Sequence, residues 1–263
     1  MIDVLELLVG IELELSTTPA EPDTDDFEAE ECGECGHTPD YDEYGYESQL
    51  ENWLEEWHYN NGETIDCNQW ASDYMDTPAG WTLGEDASCG LEYRFSRPTP
   101  LGDAPELLCD LVNQLADVEE VRMHDCTGMH IHLDARPTSL VHIDPKVAWI
   151  LWQNGWQSSA WELCRDRYTR IQQAYCTPMD LGLTWEQIRN GFYRNNDINF
   201  TNAHNLTYSK CTVELRLWDS TTDEDLNLRR LEWVHDFVSA CLKAQTVPFD
   251  PFSESAAWER FCQ

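Results

Sequence analysis

Residues 128–134 read Gly-Met-His-Ile-His-Leu-Asp, so that apolar and polar side chains alternate along the run. Successive side chains of a β-strand point to opposite faces of the sheet, and the alternation therefore predicts a strand with two unlike faces. The apolar face carries Met129, Ile131 and Leu133. The polar face carries His130, His132 and Asp134. Side chains of these polar types bind protons and metal ions.

The same alternation recurs in three other stretches, residues 9–16, 91–96 and 212–218. Their apolar faces carry Val9, Ile11, Leu13 and Leu15; Leu91, Tyr93 and Phe95; and Val213, Leu215 and Leu217. Their opposite faces carry Gly10, Glu12 and Glu14; Glu92 and Arg94; and Glu214 and Arg216. A sheet face that merely meets water carries mixed polar residues, so this concentration of carboxylates, imidazoles and guanidinium groups indicates a functional face.

Helical periodicity occupies much of the chain between these strands. Apolar residues at helical spacing predict helices over residues 105–118, 145–153, 159–174, 185–190 and 223–244. Strands and helices follow one another without regular βαβ alternation. We therefore predict an α+β fold with a mostly antiparallel sheet and with helices packed on one of its faces.

The polar face concentrates glutamates, and their mutual repulsion indicates which ligands the face binds. If the four strands are neighbours, their glutamates lie close together, and like charges a few ångströms apart raise each other's pKa unless a cation compensates them. Mg²⁺ and Mn²⁺ prefer carboxylate oxygens, and Mn²⁺ tolerates imidazole better. The arginines need anions in turn, which phosphates held by the same metal ions would supply. The face is therefore predicted to bind divalent metal and a nucleotide.

The formal net charge of −34 restricts the partners of the chain. Such a field repels nucleic-acid phosphates and anionic membrane surfaces, so we expect no nucleic acid and no membrane as partners. The sequence contains no apolar run of about 18 residues, the length of a membrane span. Residues 1–8 contain no Lys or Arg, so the basic start of a signal peptide is missing. We therefore expect a cytoplasmic protein.

An acidic, cysteine-containing segment, residues 21–80, is predicted to be an insertion within one domain that spans residues 1–263. Its Cys-Gly-Glu-Cys sequence at 32–35 predicts a zinc knuckle if two more ligands join it. The zinc ligands would be Cys32, Cys35 and Cys67, together with His58 or His37. Unligated thiols and a redox-active C-x-x-C pair are the alternatives, and the redox pair lacks its usual βαβ context.

Ordered motifs extend the pattern beyond the four strands. Residues 10–14 fit G-x-E-x-E, residues 126–132 end in G-M-H-x-H, residues 193–199 fit R-x-x-x-x-N, and residues 212–216 fit T-x-E-x-R. Residues 86–98 fit D-x-S-x-x-x-E-x-x-S-P with one extra residue before Pro98. Together these motifs resemble, in order, those of the amidoligase family within the glutamine-synthetase-like carboxylate–amine ligase superfamily.

The resemblance implies a curved sheet of the glutamine-synthetase catalytic-domain type and an ATP-dependent ligase that forms an amide or isopeptide bond through an acyl phosphate. It assigns Mg²⁺ or Mn²⁺ to Glu12, Glu14, Glu92, His130 and Glu214. It assigns the nucleotide to His132, Arg216 and Asn199. It assigns catalytic roles to Arg216, Arg194 and Glu92. Arg216 would contact the transferred phosphoryl group, and Arg194 a phosphate or the acceptor carboxylate. The substrates would be small-molecule or peptide carboxylates and amines.

Two other classes of protein are compatible with the polar face. A noncatalytic ligase-like protein would bind a partner through its acidic surface, and a metal-dependent hydrolase would act without nucleotide. A cupin-type oxygenase would need a glutamate a few residues after His132, and residues 136–139 supply none. ADP release that depends on Mg²⁺ and on an acid–amine pair separates the ligase from these alternatives.

Overall fold

The computed structural model describes residues 3–17, 77–86, 90–116, 121–122, 127–165, 176–191, 193–203 and 211–246. A short 3₁₀ helix, Val4–Glu6, precedes the first strand. The strands are β1 (Leu8–Thr17), β2 (Trp81–Asp86), β3 (Gly90–Phe95), β4 (Thr99–Pro100), β5 (Val121–Arg122), β6 (Gly128–Asp134), β7 (Ile198–Asn199) and β8 (Thr212–Asp219). The helices are α1 (Ala104–Ala116), α2 (Pro145–Leu151), α3 (Gln157–Trp161), α4 (Trp185–Asn190) and α5 (Glu224–Gln245).

The strands form a sheet in the order β2-β3-β1-β6-β8-β7, and the two-residue strands β4 and β5 pair with the two ends of β1. The pairings between these strands are antiparallel. The four strands that alternation predicts, β3, β1, β6 and β8, therefore lie side by side within the sheet. This arrangement confirms the predicted α+β class and the mostly antiparallel sheet.

Helices cover the apolar face of the sheet, as predicted. Leu13, Ile131 and Leu215 are fully buried, and they share one hydrophobic cluster with residues of α1, α2 and α5. Burial of apolar surface is the dominant favourable term in folding. Because side chains alternate along each strand, burying one face directs the carboxylates and imidazoles to the other.

A bulge in β8 lies at the level of His130. Met129 pairs with Trp218 and Ile131 pairs with Leu215, so that two residues of β8, Arg216 and Leu217, lie opposite the single residue His130. A bulge bends its strand and re-aims the local side chains, and bulges are common beside active sites. This bulge sits where the polar face carries most of its charge.

The turn from β8 to α5 is held by buried polar groups. Arg230 Nη2 lies 2.8 Å from Asp219 Oδ1, and Arg230 Nη1 donates to the Asp219 carbonyl oxygen at 2.6 Å. Both side chains are fully buried. Asp223 then caps α5 by accepting a hydrogen bond from the backbone N–H of Leu226 at 2.9 Å. The path of β8 into the long helix is therefore fixed.

Three features of local structure differ from the sequence predictions. Of the helix predicted over residues 159–174, the structure shows a helix only to Trp161, followed by a turn at 162–165 in which the Leu163 carbonyl oxygen accepts hydrogen bonds from Arg230; residues 166–174 lie outside the described residues. The helix predicted over 145–153 ends at Leu151 and continues as a π-helical turn that is interrupted at Gly155, where φ is +111°. Strand β2 has no counterpart among the predictions.

Most of the predicted insertion lies outside the described residues, which resume at residue 77. The zinc candidates Cys32, Cys35, His58, His37 and Cys67 lie outside them as well, so the zinc site stays a prediction. Among the residues that are described, no helix combines the length and hydropathy that crossing a membrane requires.

Candidate metal and nucleotide site

The register of the sheet gathers the polar side chains into a continuous surface across five strands, from β3 to β7. Directly opposed residues on one face of an antiparallel pair have Cβ atoms about 4.5–5.5 Å apart. The opposed pairs are Glu14 and Glu92, Glu12 and Arg94, Glu12 and His130, His132 and Glu214, and Glu214 and Asn199. The structure thus brings together the five residues predicted to bind Mg²⁺ or Mn²⁺: Glu12, Glu14, Glu92, His130 and Glu214.

Glu12 is the centre of this surface, because both histidines contact it. His130 Nδ1 lies 3.5 Å from Glu12 Oε2, and His132 Nε2 lies 3.2 Å from the same oxygen. The other nitrogens of the two rings also face polar atoms. His130 Nε2 lies 3.4 Å from Glu14 Oε1, and His132 Nδ1 lies 3.3 Å from Thr212 Oγ1.

The charges around Glu12 and Glu214 keep both residues ionised. Burial raises the pKa of Glu12, but hydrogen bonds and charge from His130 and His132 outweigh burial and hold this pKa well below its usual range. Burial also raises the pKa of Glu214, and the charges of His132, Arg216 and His130 bring it below the ordinary value. Both side chains are therefore carboxylates at neutral pH.

Glu214 connects the histidines to the residues predicted to meet the nucleotide. Its Oε1 accepts a hydrogen bond from Arg216 Nη1 at 2.6 Å, and its Oε2 accepts one from Asn199 Nδ2 at 2.7 Å. Asn199 Oδ1 accepts from the backbone N–H of Thr201 at 2.9 Å, which fixes the orientation of the amide. Burial lowers the pKa of Arg216, but the charge of Glu214 and its hydrogen bond raise it above the ordinary value.

Glu14 and Glu92 are more deeply buried than Glu12, with 8% and 3% of their side chains exposed. Glu14 Oε2 accepts a hydrogen bond from the backbone N–H of Gly128, and Glu92 accepts one from Arg94 Nε. A buried charge is costly unless it is paired or hydrogen-bonded. These partners therefore stabilise two carboxylates that extend the site towards β3.

Two groups of donors on the face could each hold a divalent cation. Glu12, Glu92 and His130 offer three ligand atoms within 4.8 Å of one another, and Glu12, His132 and Glu214 offer a second such set. Carboxylate oxygens with one imidazole suit Mn²⁺ and Mg²⁺. The residues therefore fit two cations that share Glu12. The resemblance assigns His132 to the nucleotide, whereas its position also allows it to bind a cation.

Arg194 and Arg94 differ in their position relative to the polar face. Arg194 is exposed in the turn that precedes β7, and its contact with a phosphate or an acceptor carboxylate stays a prediction. Arg94 has no role among the predicted site residues, yet it lies on the polar face opposite Glu12. The alternation of apolar and polar residues that predicts β3 already places Arg94 on the polar face, so the sequence contained the information needed to include it.

Asp197 is a fully buried carboxylate that the sequence pattern did not indicate. Its backbone carbonyl oxygen accepts a hydrogen bond from the Arg216 N–H at 2.9 Å. Its side chain accepts hydrogen bonds of 2.8–2.9 Å from the backbone of Met179 and Ile198 and from the side chains of Trp161 and Gln157. Asp197 therefore ties α3 and the segment at 179 to β7 and β8.

The fold and the site together define an α+β protein with a candidate two-cation centre, flanked by arginine, on an antiparallel sheet. Residues 5–238 match the model of the family described as "Putative amidoligase enzyme". The chain belongs to this family of amidoligases, as the ordered motifs indicate.

None of the curated proteins compared with the chain matches it. Among solved structures, the chain is similar to the cryo-EM structure of Plasmodium falciparum glutamine synthetase, with 10% sequence identity and a TM-score of 0.45. The match covers 94% of this chain and 53% of the other, so this chain spans about half the length of that protein.

We predict that the wild-type chain binds two Mn²⁺ ions and that Glu12→Gln weakens both sites, because Glu12 belongs to both donor groups. Glu92→Gln and Glu214→Gln should each weaken one site. Replacing a ligand carboxylate by an amide removes a charge, and we expect at least a ~10-fold loss of affinity. Calorimetric titration with Mn²⁺ measures both affinity and stoichiometry.

The matched control is Glu232→Gln, which removes one exposed carboxylate of α5 and so reproduces the loss of net charge. It should leave both sites intact. Two unweakened sites in Glu12→Gln would contradict the shared-ligand geometry.

Asp197 should make the stability of the protein depend on pH. Burial raises the pKa of Asp197 to about 6 despite the hydrogen bonds it accepts, whereas an unfolded Asp titrates near ~3.9. Since the folded-state pKa is the higher one, the stabilising contribution of this group is lost as the pH rises through about 6. We expect Asp197→Asn to lower the free energy of unfolding by more at pH 5 than at pH 8. The difference between the two losses should be roughly 1 kcal/mol.

Urea unfolding of both proteins at the two pH values measures this difference, with Asp110→Asn, at an exposed position of α1, as control. A destabilisation that is equal at both pH values, or larger at pH 8, would show that Asp197 does not titrate as inferred.

Proposed function

We propose that this chain is an ATP- and Mg²⁺-dependent carboxylate–amine ligase that forms an amide or isopeptide bond through an acyl phosphate. The observation that carries the proposal is the convergence of metal-binding side chains beside a fixed guanidinium in a chain of the amidoligase family. The proposed substrates are ATP with a small-molecule or peptide carboxylate and an amine. The proposed location is the cytoplasm.

The chemistry requires activation of the acid, because a carboxylate is too poor an electrophile for an amine to attack. One oxygen of the substrate carboxylate attacks the γ-phosphorus of ATP, the bond to the β–γ bridging oxygen breaks, and ADP leaves. The amine nitrogen then attacks the carbonyl carbon of the acyl phosphate. Inorganic phosphate leaves, and the nitrogen loses a proton to solvent.

The divalent ions would be held by Glu12, Glu14, Glu92, His130 and Glu214. When bound, they would neutralise phosphate charge. The protein supplies the low-dielectric surroundings in which such charges act strongly, since four of these five side chains are buried. The half-buried Glu12 is the ligand common to both candidate sites.

Arg216 is the residue best suited to contact the transferred phosphoryl group. Only 13% of its side chain is exposed, and Glu214 fixes one end of its guanidinium. A preorganised positive charge stabilises negative charge that develops in the transition state. We propose that His132 and Asn199 contact the nucleotide beside it, that Arg194 contacts a phosphate or the acceptor carboxylate, and that Glu92 orients the reacting groups.

The direct test is ADP release from ATP in the presence of Mg²⁺, with a panel of amino acids and dicarboxylates paired with ammonia, hydroxylamine or amino acids. We expect ADP release that depends on both an acid and an amine. Glu214→Ala and His130→Ala should reduce it at least ~100-fold, because each removes a candidate metal ligand. Circular dichroism should show an unchanged fold.

Glu232→Ala serves as the charge-matched control and should turn over ATP normally. Normal ADP release by Glu214→Ala would exclude the proposed site. ATP binding by the wild type without ADP release for any pair would favour a noncatalytic binding protein, and metal-dependent hydrolysis without ATP would favour a hydrolase.

A further inference from the structure

Asp134 is the third polar residue of β6, and the roles proposed above do not use it. It follows His130 and His132 at alternate positions, so its side chain lies on the same polar face. Only 3% of the Asp134 side chain is exposed, and its carboxylate accepts hydrogen bonds from Arg136 Nε at 2.8 Å and from Arg136 Nη2 at 2.7 Å. The guanidinium of Arg136 therefore lies on the polar side of the sheet, although Arg136 itself follows the end of β6.

Hydrogen bonds within the turn after β6 fix the residue that carries this guanidinium. The Asp134 carboxylate also accepts from the backbone N–H of Arg136 at 2.9 Å and from the Ser139 hydroxyl at 2.6 Å. The Ser139 N–H donates to the Arg136 carbonyl oxygen at 2.9 Å, and the Ile143 N–H donates to the Asp134 carbonyl oxygen at 3.0 Å. A group that is held in place before a ligand arrives loses little entropy on binding. Arg136 is thus preorganised.

The Arg136 guanidinium keeps donors and a planar surface for a ligand. A guanidinium has five N–H groups in one plane. The side-chain bonds to Asp134 use two of them. The Arg136 side chain is 34% exposed. Guanidinium planes stack on nucleobases, and their N–H groups donate to acceptor atoms of bases and sugars. Arg136 therefore has the chemistry to contact a ribose or a base.

Arg136 lies beside one of the two candidate cation sites rather than within it. That site includes His132 and Glu214, which are opposite each other in the sheet. Asp134 lies two residues beyond His132 along β6, a step of about 7 Å. On β1, the residue opposite His132 is Gly10, which has no side chain. A ligand that starts at the cations and extends along β6 therefore passes His132 before it reaches Arg136.

The charge balance indicates which part of a nucleotide meets Arg136. Arg216 is paired with Glu214, and a cation bound to Glu214 would draw the charge of that carboxylate away from Arg216 towards itself. Asp134 is not a member of either donor group, so it continues to compensate Arg136 when cations bind. A compensated guanidinium attracts phosphate less, whereas its plane still suits an uncharged base. The phosphates should therefore lie at Arg216, and the nucleoside at Arg136.

We propose that Arg136 is a nucleotide-binding residue that contacts the ribose and base of ATP, with the phosphates directed along β6 towards the cations and Arg216. This inference rests on the proposed ligase function, and it adds an orientation for the nucleotide. A merely structural role, in which Arg136 only compensates the buried charge of Asp134, makes a different prediction. Replacing both residues by neutral ones would then restore binding, because no buried charge would be left unpaired.

The test compares the binding of ATP and of tripolyphosphate, which lacks the nucleoside, to the full chain in saturating Mg²⁺. Calorimetry is carried out on the wild type, Arg136→Gln, Arg136→Lys and the neutral pair Asp134→Asn/Arg136→Gln. The control is Arg229→Gln, at an exposed position of α5, a helix on the apolar face. We expect all three Arg136 variants to weaken ATP binding at least ~5-fold, since each removes the guanidinium plane. Their affinity for tripolyphosphate should be unchanged, and the control should match the wild type for both ligands.

Four outcomes would overturn the proposal: no binding of ATP by the wild type, wild-type ATP affinity in Arg136→Gln, recovery of ATP affinity in the neutral pair, or an equal loss of affinity for ATP and tripolyphosphate. Binding is measured without acid or amine, so failure of the ligase function is distinguishable. ATP binding that depends on Arg136 in a protein that never releases ADP would support the nucleoside contact and reject the ligase. ADP release together with ATP binding that ignores Arg136 would do the reverse.

Discussion

The concentration of negative charge on one face of the sheet is the constraint on which the rest of the structure depends. Glu12, Glu14, Glu92 and Glu214 converge there in a chain whose formal net charge is −34. Like charges at this spacing repel unless they are compensated. Two histidines, two arginines and a backbone N–H supply part of the compensation. Divalent cations would supply the remainder and would attract phosphates, which links the charge balance of the fold to the proposed ligase chemistry.

The scaffold holds these charges together through β8, the strand that carries Glu214 and Arg216. Its apolar residues are buried under the helices. The buried pair of Asp219 and Arg230 fixes its C-terminal end, and the Asp197 backbone holds it at Arg216. Removing one partner of a buried ion pair is costly even where the pair itself adds little net stability. Such contacts therefore specify one path for the strand, and with it one geometry for the site.

Sequence periodicity predicted the four central strands and the polar face because alternation is a local property of each strand. It did not predict β2, a six-residue edge strand that contains Gly84 and has a weak alternation. The helix over residues 159–174 was predicted from local spacing, whereas the turn that follows Trp161 contacts Arg230, a residue distant in sequence, through the Leu163 carbonyl oxygen. The role of Asp197 was missed for the same reason, since most of its hydrogen-bond donors come from distant segments. Family motifs supplied roles for Glu12 and His130, whereas Arg94 lies between motif positions. Alternation along β3 placed Arg94 on the polar face, and the strand register shows that it lies opposite Glu12.

The most direct measurement is an anomalous difference map from crystals of the full chain soaked in Mn²⁺. We predict two peaks over the sheet, each about 2.0–2.6 Å from its ligand atoms. One peak should contact Glu12, Glu92 and His130, and the other Glu12 and Glu214. Peaks elsewhere on the acidic surface, with none on this face, would contradict the claim that these side chains form a shared cation centre.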